Sequence, residues 1–172
     1  MTAYVALLRN IGPTTHSRMP LGELAEHCAK AGLEHAVSVG NTGNLVFESE
    51  ASQAQVETAV TAAVKQFGVA SEVFTRTRRQ VQMLIGLAPF PEAAQHWPAR
   101  LGVCFFHKDP RWPAEYVDYA GPERLVMFSN HLIVDYGSAI SVSRLMIEKS
   151  VGAKMTQRNW SSVLKIAKAL KL

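Results

Sequence analysis

The hydrophobic residues in the first half of the chain alternate between the spacing of strands and the spacing of amphipathic helices. Residues 2–9 are apolar on both sides of the chain, which predicts a central strand buried on both faces. After Pro20 and again after Ser52, apolar positions recur every three or four residues, which predicts two helices that each bury one face. Three further apolar runs predict strands, at residues 36–39, 44–48 and 72–76. The resulting order, β-α-β-β-α-β, is that of a ferredoxin-like fold.

The second half of the chain repeats this pattern with a different ending. Strands are predicted at residues 101–107, 125–128 and 132–135, and helices at residues 113–119 and 143–151. The last strand of the β-α-β-β-α-β pattern is not predicted in this half, and Thr156 is instead expected to cap a final amphipathic helix with a basic outer face. Residues 90–100 are interpreted as a connector. We therefore predict an α+β protein of two ferredoxin-like (α-β plait) halves, residues 1–90 and 91–172, the second modified by a C-terminal helix.

Composition narrows the class of protein. The chain has 172 residues, of which 48% are hydrophobic and 19% charged, values that exclude a disordered or fibrous protein. Its longest apolar run, residues 4–8, is far shorter than the ~20 residues that a membrane helix needs, and the chain begins without the basic region of a secretory signal. The two cysteines form neither a disulfide framework nor a C-x-x-C site, so a cytoplasmic protein with no membrane partner is expected.

The net charge of +4 is concentrated near the C-terminus. Residues 144–172 contain seven basic residues and one acidic residue. A segment of this kind attracts phosphate groups or an acidic partner, although a solvated helix face explains the same pattern.

Arginines stand at two predicted helix starts. Arg78 and Arg79 follow the predicted cap Thr77, and Arg158 follows the predicted cap Thr156. Cations at a helix N-terminus are disfavoured by roughly 0.3–1 kcal/mol each, so the presence of arginines at these positions needs an explanation. One reason is an anion site made of free backbone N–H groups and guanidinium groups. The alternative is that these side chains reach water or pair with acidic residues from elsewhere in the chain.

Other motifs are better explained by structure than by chemistry. The glycines and asparagines of residues 40–44 fit an anion-binding nest, but a tight hairpin requires the same residues. An RNA-recognition motif would need two or three exposed aromatic residues on its central strands, whereas Phe47 is expected to face the helices and Tyr4 offers only one further ring. The six histidines lack metal-binding spacing, and no nucleophile signature is present, so no metal, cofactor or catalytic residue is predicted.

Four short motifs are informative because they occur together and in a particular order. They are Tyr4–Arg9 (YVALLR), Gly43-Asn44 before an apolar strand, Pro89-Phe90 after a helix, and Arg158-Asn159-Trp160 near the C-terminus. In this order they resemble the bacterial domain of unknown function 1697 family, nearly from end to end. The resemblance implies two α-β plait subdomains and supplies no reaction, cofactor or catalytic residue. The chain departs from the family pattern at residues 9–15, where RNIGPTT replaces a turn of the form RGINVGG.

These observations predict a cytoplasmic binding module for an anionic ligand, either nucleic acid or a phosphorylated or carboxylated metabolite. The site is expected between the two halves, where ligand clefts commonly lie. Its predicted residues are Arg9, Asn44, Arg78, Arg158 and Asn159. Nucleic acid is the first candidate because of the basic C-terminal segment. The alternatives left open are an enzyme that uses these arginines to clamp a small anion, and a protein-interaction module whose last helix binds an acidic partner. The oligomeric state is left open as well.

Overall fold

Two four-stranded antiparallel sheets organise the chain in the computed structural model, which describes residues 1–172. Each sheet belongs to its own compact unit. The first unit comprises residues 1–85 and 164–172, and the second comprises residues 86–163. The last nine residues therefore lie with the first unit, whereas the sequence placed them with the second half. None of the helices is both long and apolar enough to span a membrane.

The sheet of the first unit has the strand order of a ferredoxin-like fold. Its strands are β1 (Thr2–Leu8), β2 (Glu34–Ser38), β3 (Asn44–Ser49) and β4 (Val73–Thr77). They lie in the order β2-β3-β1-β4, so β1 is central and pairs antiparallel with both β3 and β4. The predicted fold class is confirmed for this half.

Four helices accompany this sheet. They are α1 (Pro13–Arg18), α2 (Leu21–Lys30), α3 (Gln53–Gln66) and α4 (Arg78–Leu87). A capping box begins α3, because Ser52 Oγ accepts a hydrogen bond from the N–H of Gln55 at 3.3 Å and Gln55 Oε1 accepts one from the N–H of Ser52 at 2.9 Å. Such reciprocal bonds fix where the helix begins.

Both faces of the central strand are buried. On the face that packs with α2 and α3, the rings of Tyr4 and Phe47 stack with their centroids 5.9 Å apart, and the Tyr4 hydroxyl donates to the carbonyl of Ala51 at 2.8 Å. On the opposite face Val5 and Leu7 are buried too. Neither aromatic ring is an exposed stacking platform, which agrees with the sequence argument against an RNA-recognition motif.

The second unit repeats the same sheet. Its strands are β5 (Leu101–Phe106), β6 (Arg124–Phe128), β7 (His131–Asp135) and β8 (Met155–Asn159), in the order β6-β7-β5-β8. The sequence prediction that a strand is missing here is wrong, since β8 occupies the position that β4 holds in the first sheet. The strand has no apolar pattern because its buried face carries Thr156 and Arg158. Thr156 consequently lies inside a strand and caps no helix.

Four helices and two short 3₁₀ turns complete the chain. The helices are α5 (Pro91–His96), α6 (Ala114–Val117), α7 (Ile147–Val151) and α8 (Trp160–Ala169), and the turns are Pro98–Arg100 and Ile140–Val142. The interpretation of residues 90–100 as a connector is therefore wrong. Pro91 begins a helix there, because proline is tolerated in the first helical turn, where the N–H that it lacks would have no intrahelical partner.

Candidate functional site

Arg9 and Asn44 lie at the same end of the first sheet, because Arg9 follows β1 and Asn44 begins β3, which pairs antiparallel with β1. The backbone N–H of Arg9 donates to the carbonyl of Glu72 at 2.9 Å. Asn44 is buried, and its Nδ2 donates to the carbonyl of Val39 at 3.0 Å and to Thr42 Oγ1 at 2.9 Å. The Asn44 side chain thus holds the turn between β2 and β3, and the hairpin interpretation of residues 40–44 is confirmed.

The unusual turn at residues 9–15 packs against this hairpin. Gly43 has a φ of +83°, and a Cβ atom there would lie 2.5 Å from Ile11 Cγ1. Only glycine permits so close an approach of the two loops. His16 Nε2 also lies 2.7 Å from the carbonyl oxygen of Asn41. The turn is therefore fitted to the chain's own hairpin.

Thr77, the predicted cap, begins α4 in a capping box with Gln80. The N–H of Gln80 donates to Thr77 Oγ1 at 3.1 Å, and the N–H of Thr77 donates to Gln80 Oε1 at 2.8 Å. Arg78 follows, and its Nε and Nη2 donate to the carbonyls of Leu170 and Lys171 at 2.9 and 2.8 Å. These carbonyls lie at the C-terminal end of α8, where the helix dipole is negative and carbonyls lack intrahelical partners. Arg78 therefore caps α8 across the fold of the first unit.

This contact joins two groups of exposed cations on the first unit. We call them together the basic surface: Arg78, Arg79, Lys165, Lys168 and Lys171. Lys165 and Lys168 are one helical turn apart on α8, so their side chains are neighbours. No carboxylate forms an ion pair with any member of the basic surface. Among its members, Arg78 alone is compensated in part, by the carbonyls at the C-terminal end of α8.

The predicted site residues of the first unit do not form one cluster. Arg9 lies beside the start of β4, whereas Arg78 follows the end of β4. Arg9 is level with Glu72, six residues before Arg78, so the two positions are about 20 Å apart at a rise of about 3.3 Å per residue. The sheet brings Arg9 and Asn44 together and places Arg78 at its other end.

Arg158 and Asn159 take different positions from those the sequence predicted. Arg158 lies in β8 and is 6% exposed, and its Nη1 donates to Thr156 Oγ1 at 2.8 Å and to the carbonyl of Gln157 at 2.9 Å. Burial lowers the pKa of Arg158 to about 10. Asn159 Oδ1 accepts the N–H of Ser162 at 2.9 Å, so Asn159 caps α8. The prediction that Arg158 lies in a first helical turn is wrong.

Arg76 is the counterpart of Arg158 and was missed. Each is the second-last residue of the fourth strand of its sheet, and each pairs with the central strand. Arg76 is 2% exposed, and its Nη1 donates to the carbonyl of Thr75 at 2.7 Å. The signal that could have found it is an internal repeat: an arginine, then a helix-capping residue (Thr77 or Asn159), then a helix.

A second group of charged residues that the sequence did not predict lies around Asp135, at the end of β7. Asp135 is 2% exposed. Its Oδ1 accepts hydrogen bonds from Arg100 Nε at 3.1 Å and from the N–H of Gly137 at 3.0 Å, and its Oδ2 accepts hydrogen bonds from the guanidinium group of Arg124. Burial alone raises the pKa of Asp135, but the hydrogen bonds from Arg124 and Gly137 and the charges of both arginines lower it on balance. The Arg100 guanidinium lies over the ring of Trp97, 4.3 Å from its centroid. No local sequence motif predicts this group, because its members are far apart in sequence.

Comparison with known proteins gives a family and a fold. A model of the family described as protein of unknown function (DUF1697) matches residues 1–124. The structure is similar to that of the conserved bacterial protein SP0830 from Streptococcus pneumoniae, with a TM-score of 0.65 and 20% sequence identity over 98% of each chain. At this identity the likeness shows a shared fold alone. None of the curated proteins matches the sequence.

Proposed function

The chain belongs to the DUF1697 family of proteins of unknown function, and we propose that it is a cytoplasmic binding module for an anionic polymer, with nucleic acid as the ligand. The observation that carries this proposal is the pair of hydrogen bonds from Arg78 to the end of α8. They fix the start of α4 beside the lysines of α8, so five exposed cations share one surface. Each member of such a surface is suited to one backbone phosphate.

The hydrogen bonding of the arginines leaves donors for a ligand. Arg78 uses Nε and Nη2 for the carbonyls of α8, and its Nη1 has no acceptor in the protein. Arg79 follows on the next position of α4 and donates to no protein group. Guanidinium groups whose N–H donors have no acceptor in the protein can bind phosphate with charge-assisted hydrogen bonds. Exposed and unpaired, the basic surface suits the backbone of a long anion better than an enclosed metabolite.

The other predicted ligand contacts stay predictions. Asn44, Arg158 and Asn159 make the hydrogen bonds within the fold that are described above, and Arg9 lies at the far end of the sheet from Arg78. A small-molecule enzyme and a protein-interaction module are the alternatives, and no residue is proposed as catalytic.

The proposal is tested by fluorescence anisotropy of labelled single- and double-stranded oligonucleotides with two variants of equal charge. The surface variant carries Arg79→Gln, Lys165→Gln and Lys168→Gln. The control variant carries Arg18→Gln, Lys30→Gln and Lys65→Gln, three exposed residues outside the basic surface. Arg78 is left in place in both variants so that α8 remains capped.

We expect the wild type and the control variant to bind at about 50 mM salt and the surface variant to bind at least about tenfold more weakly, because three phosphate contacts are lost. Absence of binding by the wild type at this salt concentration would reject a nucleic-acid ligand. Equal weakening of the two variants would mean that net charge, and not the basic surface, determines binding.

A further inference from the structure

A cavity of about 760 Å³ lies in the second unit, and no residue of the basic surface lines it. It is lined by residues 96–100, which end α5 and form the following 3₁₀ turn, and by residues 137–141, which follow β7. Its volume is within the range of about 300–1,000 Å³ typical of small-molecule sites.

One wall of the cavity offers a flat aromatic surface. Trp97 has the largest apolar side chain in the wall, and it is 48% exposed even though the Arg100 guanidinium lies over its ring. The ring of His96 lies beside it, with centroids 5.6 Å apart and the planes inclined by 58°. An indole with an uncovered part is suited to stacking against a planar aromatic ligand, since ring stacking removes apolar surface from water and gains dispersion energy.

The same wall carries a positive charge. Arg100 binds Asp135 through Nε alone, and its two Nη groups have no acceptor in the protein. Asp135 is shared with Arg124, so two guanidinium groups face one carboxylate. One positive charge of this group is therefore not neutralised, and Arg100 presents its side chain, 25% exposed, at the cavity. Such free Nη groups are suited to a phosphate.

From these two features we propose that the cavity binds a mononucleotide, with its base stacked on Trp97 and its phosphate held by the Nη groups of Arg100. An uncharged aromatic ligand would leave the guanidinium without a counter-charge, and an aliphatic phosphate would leave in water the part of the indole that Arg100 does not cover. Only a ligand that carries both a planar ring and an anionic group satisfies both parts of the wall. The residues that line the cavity are different from those of the basic surface, and the proposal does not depend on nucleic-acid binding there.

The test is isothermal titration calorimetry of the full-length protein with three probes: AMP, adenosine, which lacks the phosphate, and ribose 5-phosphate, which lacks the base. We expect AMP to bind with a Kd of about 1 mM or tighter and each of the other two probes to bind at least about tenfold more weakly. Failure of AMP to bind in this range, or equal binding of ribose 5-phosphate, would overturn the proposal.

Variants assign the two contacts separately. Trp97→Ala is expected to weaken AMP binding by about 5- to 100-fold, the range of base stacking on an aromatic side chain, and Trp97→Phe is expected to restore part of the loss. Arg100→Gln is expected to weaken AMP binding by about tenfold and to leave adenosine binding unchanged. Arg111→Gln, which removes another exposed arginine of the same unit, is the control and leaves both affinities unchanged.

A general loss of structure would lower the affinity for AMP and adenosine together. An Arg100→Gln protein that loses both probes equally, or a Trp97→Ala protein that binds AMP as the wild type does, would contradict the assignment.

Discussion

Replacing Asp135 by asparagine removes the one negative charge that holds the Arg100–Arg124 pair together. The carboxylate is almost completely buried and accepts hydrogen bonds from both guanidinium groups and from the N–H of Gly137. Asparagine has nearly the same size, so the substitution creates no cavity. It removes the charge and replaces one acceptor oxygen by an NH₂ group that faces donors. The variant therefore isolates the electrostatic contribution of this side chain.

The structure sets the size of the expected effect. Breaking a buried ion pair by removing one partner costs about 3–5 kcal/mol when the remaining charge stays buried. Here the remaining charges can be rehydrated in part, because the side chains of Arg124 and Arg100 are 60% and 25% exposed. We therefore expect Asp135→Asn to lower the free energy of unfolding by about 2 kcal/mol, below the range for a fully buried pair.

Urea unfolding followed by tryptophan fluorescence measures this free energy for the second unit, which contains Asp135. All three tryptophans, Trp97, Trp112 and Trp160, belong to the second unit, so their emission reports on its unfolding. Asp118→Asn is the control, since it removes the same charge from an exposed position and is expected to change the free energy of unfolding by less than about 0.5 kcal/mol. The reasoning is refuted if the two variants unfold at the same urea concentration.

The pH dependence follows with a definite sign. The pKa of Asp135 is lower in the folded protein than in the unfolded chain, so its contribution to stability is present above the unfolded value of about 3.9. That contribution is lost as the pH falls through the lower, folded pKa. The difference in unfolding free energy between wild type and Asp135→Asn should therefore be constant from about pH 7 to 5 and shrink below about pH 4.

Three other predictions concern the first unit and the cysteines. Arg78→Met should lower the free energy of unfolding by about 1 kcal/mol and speed hydrogen exchange at the end of α8. Arg79→Met is the control and should change neither quantity. Equal exchange rates in the two variants would contradict the capping role of Arg78. Gly43→Ala should lower the free energy of unfolding by at least about 2 kcal/mol, measured by thermal unfolding followed by circular dichroism. Gly40 has a similar φ but open space around it, so Gly40→Ala should lower the free energy of unfolding by about 1 kcal/mol. Equal losses in the two variants would argue against the close contact between the loops. Both cysteine thiols are buried, and burial raises their pKa values, so a thiol reagent at pH 8 should label them only after unfolding; rapid labelling of the native protein would contradict this.

Most of the fold could be predicted because its first half follows local rules. The buried strand at residues 2–9, the capping boxes at Ser52 and Thr77 and the hairpin at residues 40–44 each depend on neighbouring residues alone. The strand β8 could not be predicted in this way, because its buried face carries threonine and arginine, whose burial is decided by hydrogen bonds formed in the folded state. The start of α8 was misplaced with it, since a threonine in a strand and a threonine at a helix start look alike in sequence.

The candidate site was predictable in its composition and not in its arrangement. Basic residues near the C-terminus and the pair after Thr77 were evident, but their shared surface depends on a contact over 92 positions, from Arg78 to Leu170. The Asp135 group depends on the register of β5, β6 and β7, which pairs residues that no local pattern connects. The helix dipole explains why arginines at a helix start are notable, but the local sequence does not show that the C-terminal end of α8 binds Arg78.

The most direct test of nucleic-acid binding by the basic surface is the slope of log Kobs against log salt concentration for a double-stranded oligonucleotide. Each phosphate contact contributes about −0.9 to this slope for B-form DNA. We predict that the surface variant, with Arg79, Lys165 and Lys168 replaced by glutamine, has a slope less steep than that of the wild type by about 2 to 3, and that the control variant keeps the wild-type slope. Equal slopes for the wild type and the surface variant would contradict the account.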